Sequence, residues 1–146
     1  MTGAVKIPLH RGIIAFHFNQ GAVKEMSNKN NKIYFIKAEN GLVKIGKSNK
    51  PLKRLGSLQT GSPIKLKIVK TVFGGIYLES LIHCYFSECR KHGEWFRPDY
   101  ELRAFLDNKK RITITGLIDY YKMKHKHVKR GMKRYFETLE YRRLYL

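Results

Sequence analysis

Glu79 and His83 stand four residues apart, so on a helix they share one face. Arg54 follows Pro51 by three residues, and Tyr34, Lys44 and Lys47 lie in runs rich in Ile and Lys. Acids are scarce, 11 against 30 Lys and Arg, which singles out a carboxylate such as Glu79. A carboxylate can hold Mg2+, which often takes only one or two protein carboxylates and fills its other positions with water and phosphate oxygens. Such an ion neutralises phosphoryl oxygens and helps an oxygen leave. A guanidinium holds two phosphate oxygens at once and stays charged. A phenol with an ordinary pKa near 10 is a poor base at neutral pH, unless cations such as Lys44, Lys47 or Arg54 lower it. These are the parts that phosphodiester cleavage needs. Each also has an ordinary alternative: a solvated or ion-paired helix carboxylate, a surface arginine, a strand tyrosine, a packing or capping histidine.

The elements that must position these residues follow from local pattern. Residues 32–37 are aromatic and β-branched and predict a strand. Asn40-Gly41 is a hairpin-turn signal, and residues 42–47 read as the partner strand, with Gly46 marking a bulge or a close backbone approach. Ser48 or Asn49 can cap a helix with Pro51 in its first turn, running to about Gln59 and stopped by Gly61. Ile64 to Phe73 reads as a third strand with a basic face, although Val69 breaks its alternation. After Gly74-Gly75, Ile76 to Arg90 predicts a helix whose buried stripe is Leu78, Leu81, Ile82, Tyr85, Phe86 and Cys89. Asp99 can cap a further helix to about Asp107, and Thr113 or Thr115 one or two basic helices beyond. The expected fold class is α+β: a small three-stranded antiparallel sheet with flanking helices and a basic helical C-terminal extension. The expected organisation is an extension and linker over 1–31, a domain over 32–107 and the basic segment over 108–146. Within the first, Gly12 to Phe18 has strand character, and the turn-prone residues 27–32 read as a linker.

The 146 residues carry a formal charge of +19, and 42% of them are apolar, enough for a core. The charge is uneven: residues 32–70 hold ten basic residues and one acid, residues 71–107 four and six, residues 108–146 twelve and three. Two basic segments around a less basic one suggest a basic face for a polyanionic partner, nucleic acid before an anionic membrane. No apolar run approaches the roughly 18 residues of a membrane span, and Pro8, His10 and Arg11 interrupt what would be a signal peptide. Two cysteines build no disulfide framework, so an intracellular compartment is expected. Cys84 and Cys89 are five apart, about 140° around a helix, and do not converge on a zinc ion with His83 and His92.

The set resembles the GIY-YIG nuclease superfamily, in the branch with a lysine in the second motif and a Gly-Glu-Trp-Phe element. The residues are Ile33-Tyr34-Phe35-Ile36, Val43-Lys44-Ile45-Gly46-Lys47-Ser48, Arg54, Glu79 with His83, and Gly93-Glu94-Trp95-Phe96. Lys32 stands where the family has glycine and Lys44 where it has tyrosine. The string Gly75-Ile76-Tyr77 is a decoy, since no second motif follows it at strand spacing. The resemblance implies a metal-dependent DNA endonuclease, with Tyr34 as general base, Arg54 stabilising the transition state and Glu79 holding Mg2+ or Mn2+. Lys44, Lys47 and His83 would support them, and Glu94 reads as a structural or supporting residue rather than a catalytic one. The expected partner is DNA, with neither a membrane nor a small-molecule substrate. Lys65, Lys67, Lys122, Lys126, Lys129, Arg130, Lys133 and Arg134 are the expected phosphate contacts. Tail aromatics such as Tyr120, Tyr121, Tyr135 and Phe136 fit packing better than base stacking. The departures at Lys32 and Lys44 motivate an alternative, a non-catalytic nucleic-acid-binding protein on the same scaffold.

Overall fold

Four consecutive apolar side chains, Ile33 to Ile36, can only be buried if the strand that carries them is covered on both faces. The computed structural model describes residues 30–125, 127 and 129–145, and for 140–145 the backbone alone. In it, β1 (Lys32–Ala38) pairs antiparallel with β2 (Val43–Ser48) on one side and with β3 (Leu66–Phe73) on the other. The β1–β2 turn is closed by the Asn40 side-chain oxygen, which accepts from the Leu42 N–H at 3.1 Å. Val69 breaks the alternation of β3 for a definite reason. The register shifts there: Phe35 faces Lys70 and Ile36 faces Ile68. Leu66 and Ile68 therefore pack into one layer, Val69 and Val72 into the other.

The fold is α+β, but the sheet has five strands rather than three. Two short strands, β4 (Arg90–His92) and β5 (Trp95–Phe96), form a hairpin that adds to β2, giving the order β3-β1-β2-β5-β4 with antiparallel pairing. Strands of three and two residues are too short to show a period. The helix expected through Arg90 accordingly ends earlier. α2 (Ile76–Tyr85) gives way at Phe86 to a 3₁₀ turn, Ser87–Cys89, and the Arg90 guanidinium donates back to the His83 carbonyl and forward to that of Gly93. A 3₁₀ turn keeps an i, i+3 repeat, so Phe86 and Cys89 continue the apolar stripe without a helix beneath them.

The helices cover both faces. α1 (Pro51–Thr60) lays Leu55 and Leu58 against Tyr34, Ile36, Ala38 and Leu66. Its N-cap is Lys50, not Ser48 or Asn49. Ser48 ends β2, and its hydroxyl accepts from the Lys50 N–H within the turn. The other face, with Ile33, Phe35, Val43 and Ile45, is covered by α2, α3 (Tyr100–Leu106), α4 (Ile114–Lys124) and α5 (Arg130–Tyr145). Asp99 caps α3 and Thr113 caps α4, accepting from Leu102 N–H and Gly116 N–H. Leu117, Ile118, Tyr121, Met132, Tyr135 and Phe136 are buried in the same core as the sheet. None of the described helices is long and apolar enough to cross a membrane. Residues 1–29, and with them the strand expected at Gly12–Phe18 and the start of the 27–32 linker, fall outside the described residues, as does Lys126.

Candidate functional site

β2 runs on where β5 stops. β5 pairs with only Val43 and Lys44, and the Ile45 N–H makes a last bond to the Glu94 carbonyl at 3.0 Å. Beyond that point the edge of β2 would be bare, and α2 closes it with side chains. His83 Nε2 donates to the Ile45 carbonyl at 2.9 Å, and the Lys47 N–H donates to the Glu79 carboxylate. The match is geometric. Four helix residues rise about 6 Å, and two strand residues span about 6.6 Å, so an i, i+4 pair reaches two alternate positions of a strand.

This placement fixes the electrostatics. Partial burial, then the charge of Glu94, pushes the Glu79 carboxyl above its ordinary range, against the pull of Lys47 and Lys44. Burial also lowers the His83 pKa, partly offset by the Ile45 bond, and one ring nitrogen is committed to that carbonyl. Lys44 is buried at 8% exposure and pairs with Glu94 at 2.5 Å, its ammonium 5.7 Å from the Trp95 ring centre. Glu94 feels burial too, but Lys44, with His83 and Arg54, outweighs it and holds this carboxyl below the ordinary range. Glu94 therefore joins Glu79, Lys44, Lys47, His83 and Arg54 in one charge cluster. From the sequence it reads only as a structural or supporting residue. The signal was the turn at Gly93-Glu94, which sets Trp95 opposite Lys44.

Tyr34 lies on the α1 face of β1, opposite Gly46. The unbroken β1–β2 register rules out a bulge and leaves the close approach: a Cβ on Gly46 would stand 2.6 Å from Tyr34 Cζ. Gly46→Ala should therefore destabilise the domain by about 1–3 kcal/mol, the usual cost of overpacking. In urea melts that loss should shrink when Tyr34→Ala is combined with it, since residues in contact couple. Strictly additive losses would mean the ring is not what the methyl meets.

Arg54 is exposed on α1, which starts at the end of the sheet where β2 finishes. Tyr34, Lys47, Arg54 and Glu79 thus gather at one end of the sheet. Lys65 and Lys67 do not join them. Both are exposed, and Lys67 pairs with Lys37 at the opposite end. Lys122, Lys129, Arg130 and Lys133 are exposed on or beside α4 and α5, with Arg134 half-buried. Tyr77, from the decoy string, sits in the first turn of α2 and stacks on Tyr135 at 5.1 Å. Gly131 lies against Tyr77, so the start of α5 adjoins the end of α2 that carries Glu79.

Among the described residues no three His, Cys, Asp or Glu side chains gather as a metal centre. Glu79 and Glu94 are neighbouring carboxylates, the oxygen donors a hard cation takes, and Glu94 is already paired with Lys44. A family model, the T5orf172 domain, matches residues 31–113, more than half of the chain. No curated protein and no solved structure is similar enough to count as a match.

Proposed function

The chain belongs to the T5orf172 domain family, and from that premise we propose that it is a metal-dependent DNA endonuclease of the GIY-YIG type. The domain is found in phage and related nucleases and homing-endonuclease-like proteins, which supports a nuclease or nucleic-acid role. The observation that carries the finer reading is Glu79: a half-buried carboxylate, made reluctant to ionise by burial and by Glu94, held at the rim of the sheet among Lys44, Lys47 and Arg54.

In this reading Glu79 would hold Mg2+ or Mn2+, with Glu94 beside it. A bound ion supplies Lewis acidity toward a phosphoryl oxygen. Lys47 fixes the Glu79 carboxylate through its backbone N–H, and His83 fixes the strand that presents it. Lys44 neutralises Glu94 and so limits the negative charge that a phosphate meets. Arg54 is exposed and takes the phosphoryl oxygens. Tyr34 is the base, its hydroxyl held over Gly46. The remaining surface cations, on and around α4 and α5, contact phosphates and position the DNA, and the protein acts inside the cell where that DNA lies.

One observation favours a second reading, a non-catalytic DNA-binding protein: Tyr34 is only 2% exposed. Nicking or linearisation of supercoiled plasmid with Mg2+ or Mn2+, lost with chelator, supports the enzyme. Tight binding without strand breaks under either ion selects the binder. Within the enzyme reading, Arg54→Ala should lower the single-turnover rate about a hundredfold, the effect of removing about 3 kcal/mol of charge stabilisation. Weaker affinity with an unchanged rate at saturating DNA would reduce Arg54 to a positioning contact.

A further inference from the structure

Among the described residues, Phe73 is an aromatic side chain that the core does not use. It is 73% exposed at the end of β3, directly opposite Lys32, which in turn faces Ser48 of β2. Directly opposed residues share a face of a sheet, so Phe73, Lys32 and Ser48 form the outermost row on the face of Tyr34. Thr71 is the partner of Tyr34, which makes Phe73 its diagonal neighbour, at about 7–8 Å between backbones. The Lys32 ammonium lies 5.3 Å from the centre of the Phe73 ring. The backbone holds this row in place: the next residue, Gly74, donates its N–H to the Asn31 carbonyl at 3.0 Å. Leu52, 79% exposed, begins the helix stripe that continues with Leu55 over the same face. Exposed apolar surface beside a cation, in a chain of charge +19, is complementary to a base on a phosphate strand.

We propose that Phe73 and Lys32 form a stacking platform for an unpaired base next to the cleavage point, the ring taking the base and the ammonium the adjoining phosphate. A fully paired duplex keeps its bases stacked on one another and offers the ring nothing. The substrate class that follows is DNA carrying an unpaired or splayed nucleotide at the site. This rests on the nuclease reading above.

The test compares binding, without cleavage, in Ca2+ buffer. Two oligonucleotides of one sequence are used, one fully paired and one with a single unpaired 2-aminopurine. The wild-type chain should bind the unpaired form more tightly and quench its fluorescence. Phe73→Leu should lower affinity for that form by about 5- to 140-fold, the range for one stacked base, and leave the paired duplex unchanged. Phe73→Trp should retain the preference. If the wild type binds both forms and Phe73→Leu changes them equally or not at all, the platform is overturned while the nuclease reading stands. If the wild type binds neither, both fall. A lower melting temperature for Phe73→Leu with unchanged selectivity also overturns the platform, because the ring would then pack on a segment of this chain.

Discussion

Replacing Glu79 by glutamine is expected to abolish cleavage and to leave the chain at least as stable as before. The two halves of that result come from one geometry. The carboxylate sits partly buried beside Glu94, and both burial and that neighbour favour its protonated form. A folded-state pKa raised above the unfolded value means that the folded chain binds more protons across that window. Stability therefore falls as pH rises through it and is lower at neutral pH than the same fold with a neutral group would have. Glutamine removes the charge and keeps an oxygen to accept from the Lys47 N–H, so the edge of β2 stays closed. What it loses is the anionic donor for a hard cation, and with it the charge neutralisation that the chemistry needs. Plasmid cleavage, DNA binding and a thermal melt on the same preparation read all three. Cleavage at the parent rate would remove Glu79 from the site, whereas a large drop in melting temperature would show that the carboxylate is there to hold β2. A strained carboxylate that weakens the fold is expected at a functional centre and out of place in a purely structural one.

Much of this site was legible because its parts are local. Tyr34 and Gly46 sit on a hairpin announced by Asn40-Gly41, and Glu79 and His83 are an i, i+4 pair that any helix would align. Gly46 interrupting a strand was a direct sign of something close above it, and that something is the Tyr34 ring. What the sequence hid depends on which chain segment lies alongside which. The β4–β5 hairpin has too few residues for a period, yet it decides where the edge of β2 is covered and so where α2 must substitute. Glu94 looked like part of a structural turn until β5 brought it against Lys44. His83 was expected to support the site, and the helix-to-edge packing that commits one of its nitrogens to the Ile45 carbonyl could not be read from its i, i+4 spacing. Lys65 falls just before β3 and Lys67 at its start, at the far end of the sheet, and a strand pattern does not say which end the site will occupy.

The second large effect concerns the basic C-terminal helices. A chain ending at Asp107 is expected to lose its cooperative fold, not merely its affinity for DNA. The family match stops at residue 113, just before α4 begins at Ile114, which invites treating the rest as an appendage. The core runs on regardless. Leu117, Ile118, Tyr121, Met132, Tyr135 and Phe136 are buried with Ile33, Phe35, Leu81 and Phe96. Tyr77 and Tyr85 of α2 take Tyr135 and Tyr120 as ring partners, each at 5.1 Å. Fully burying one such side chain contributes about 1.5–3 kcal/mol, whereas a whole domain is stable by only about 5–15 kcal/mol. Cutting the helices away also removes the entropy cost of ordering them, so the loss is smaller than the sum of six such terms. It still strips the outer side of α2, the helix that positions Glu79. The full chain and the truncated one should be compared by near-ultraviolet circular dichroism and thermal melting. The truncation should show no sharp transition, or one lowered by more than about 10 °C, as a loss of a few kcal/mol implies for a domain of this size. A cooperative melt within a few degrees of the parent would show that α4 and α5 are a separable module. If the fold is lost, weak DNA binding by the truncated chain reports unfolding and says nothing about phosphate contacts. The aromatics of the tail then have a role distinct from its lysines: they anchor the basic surface to the helix that carries Glu79.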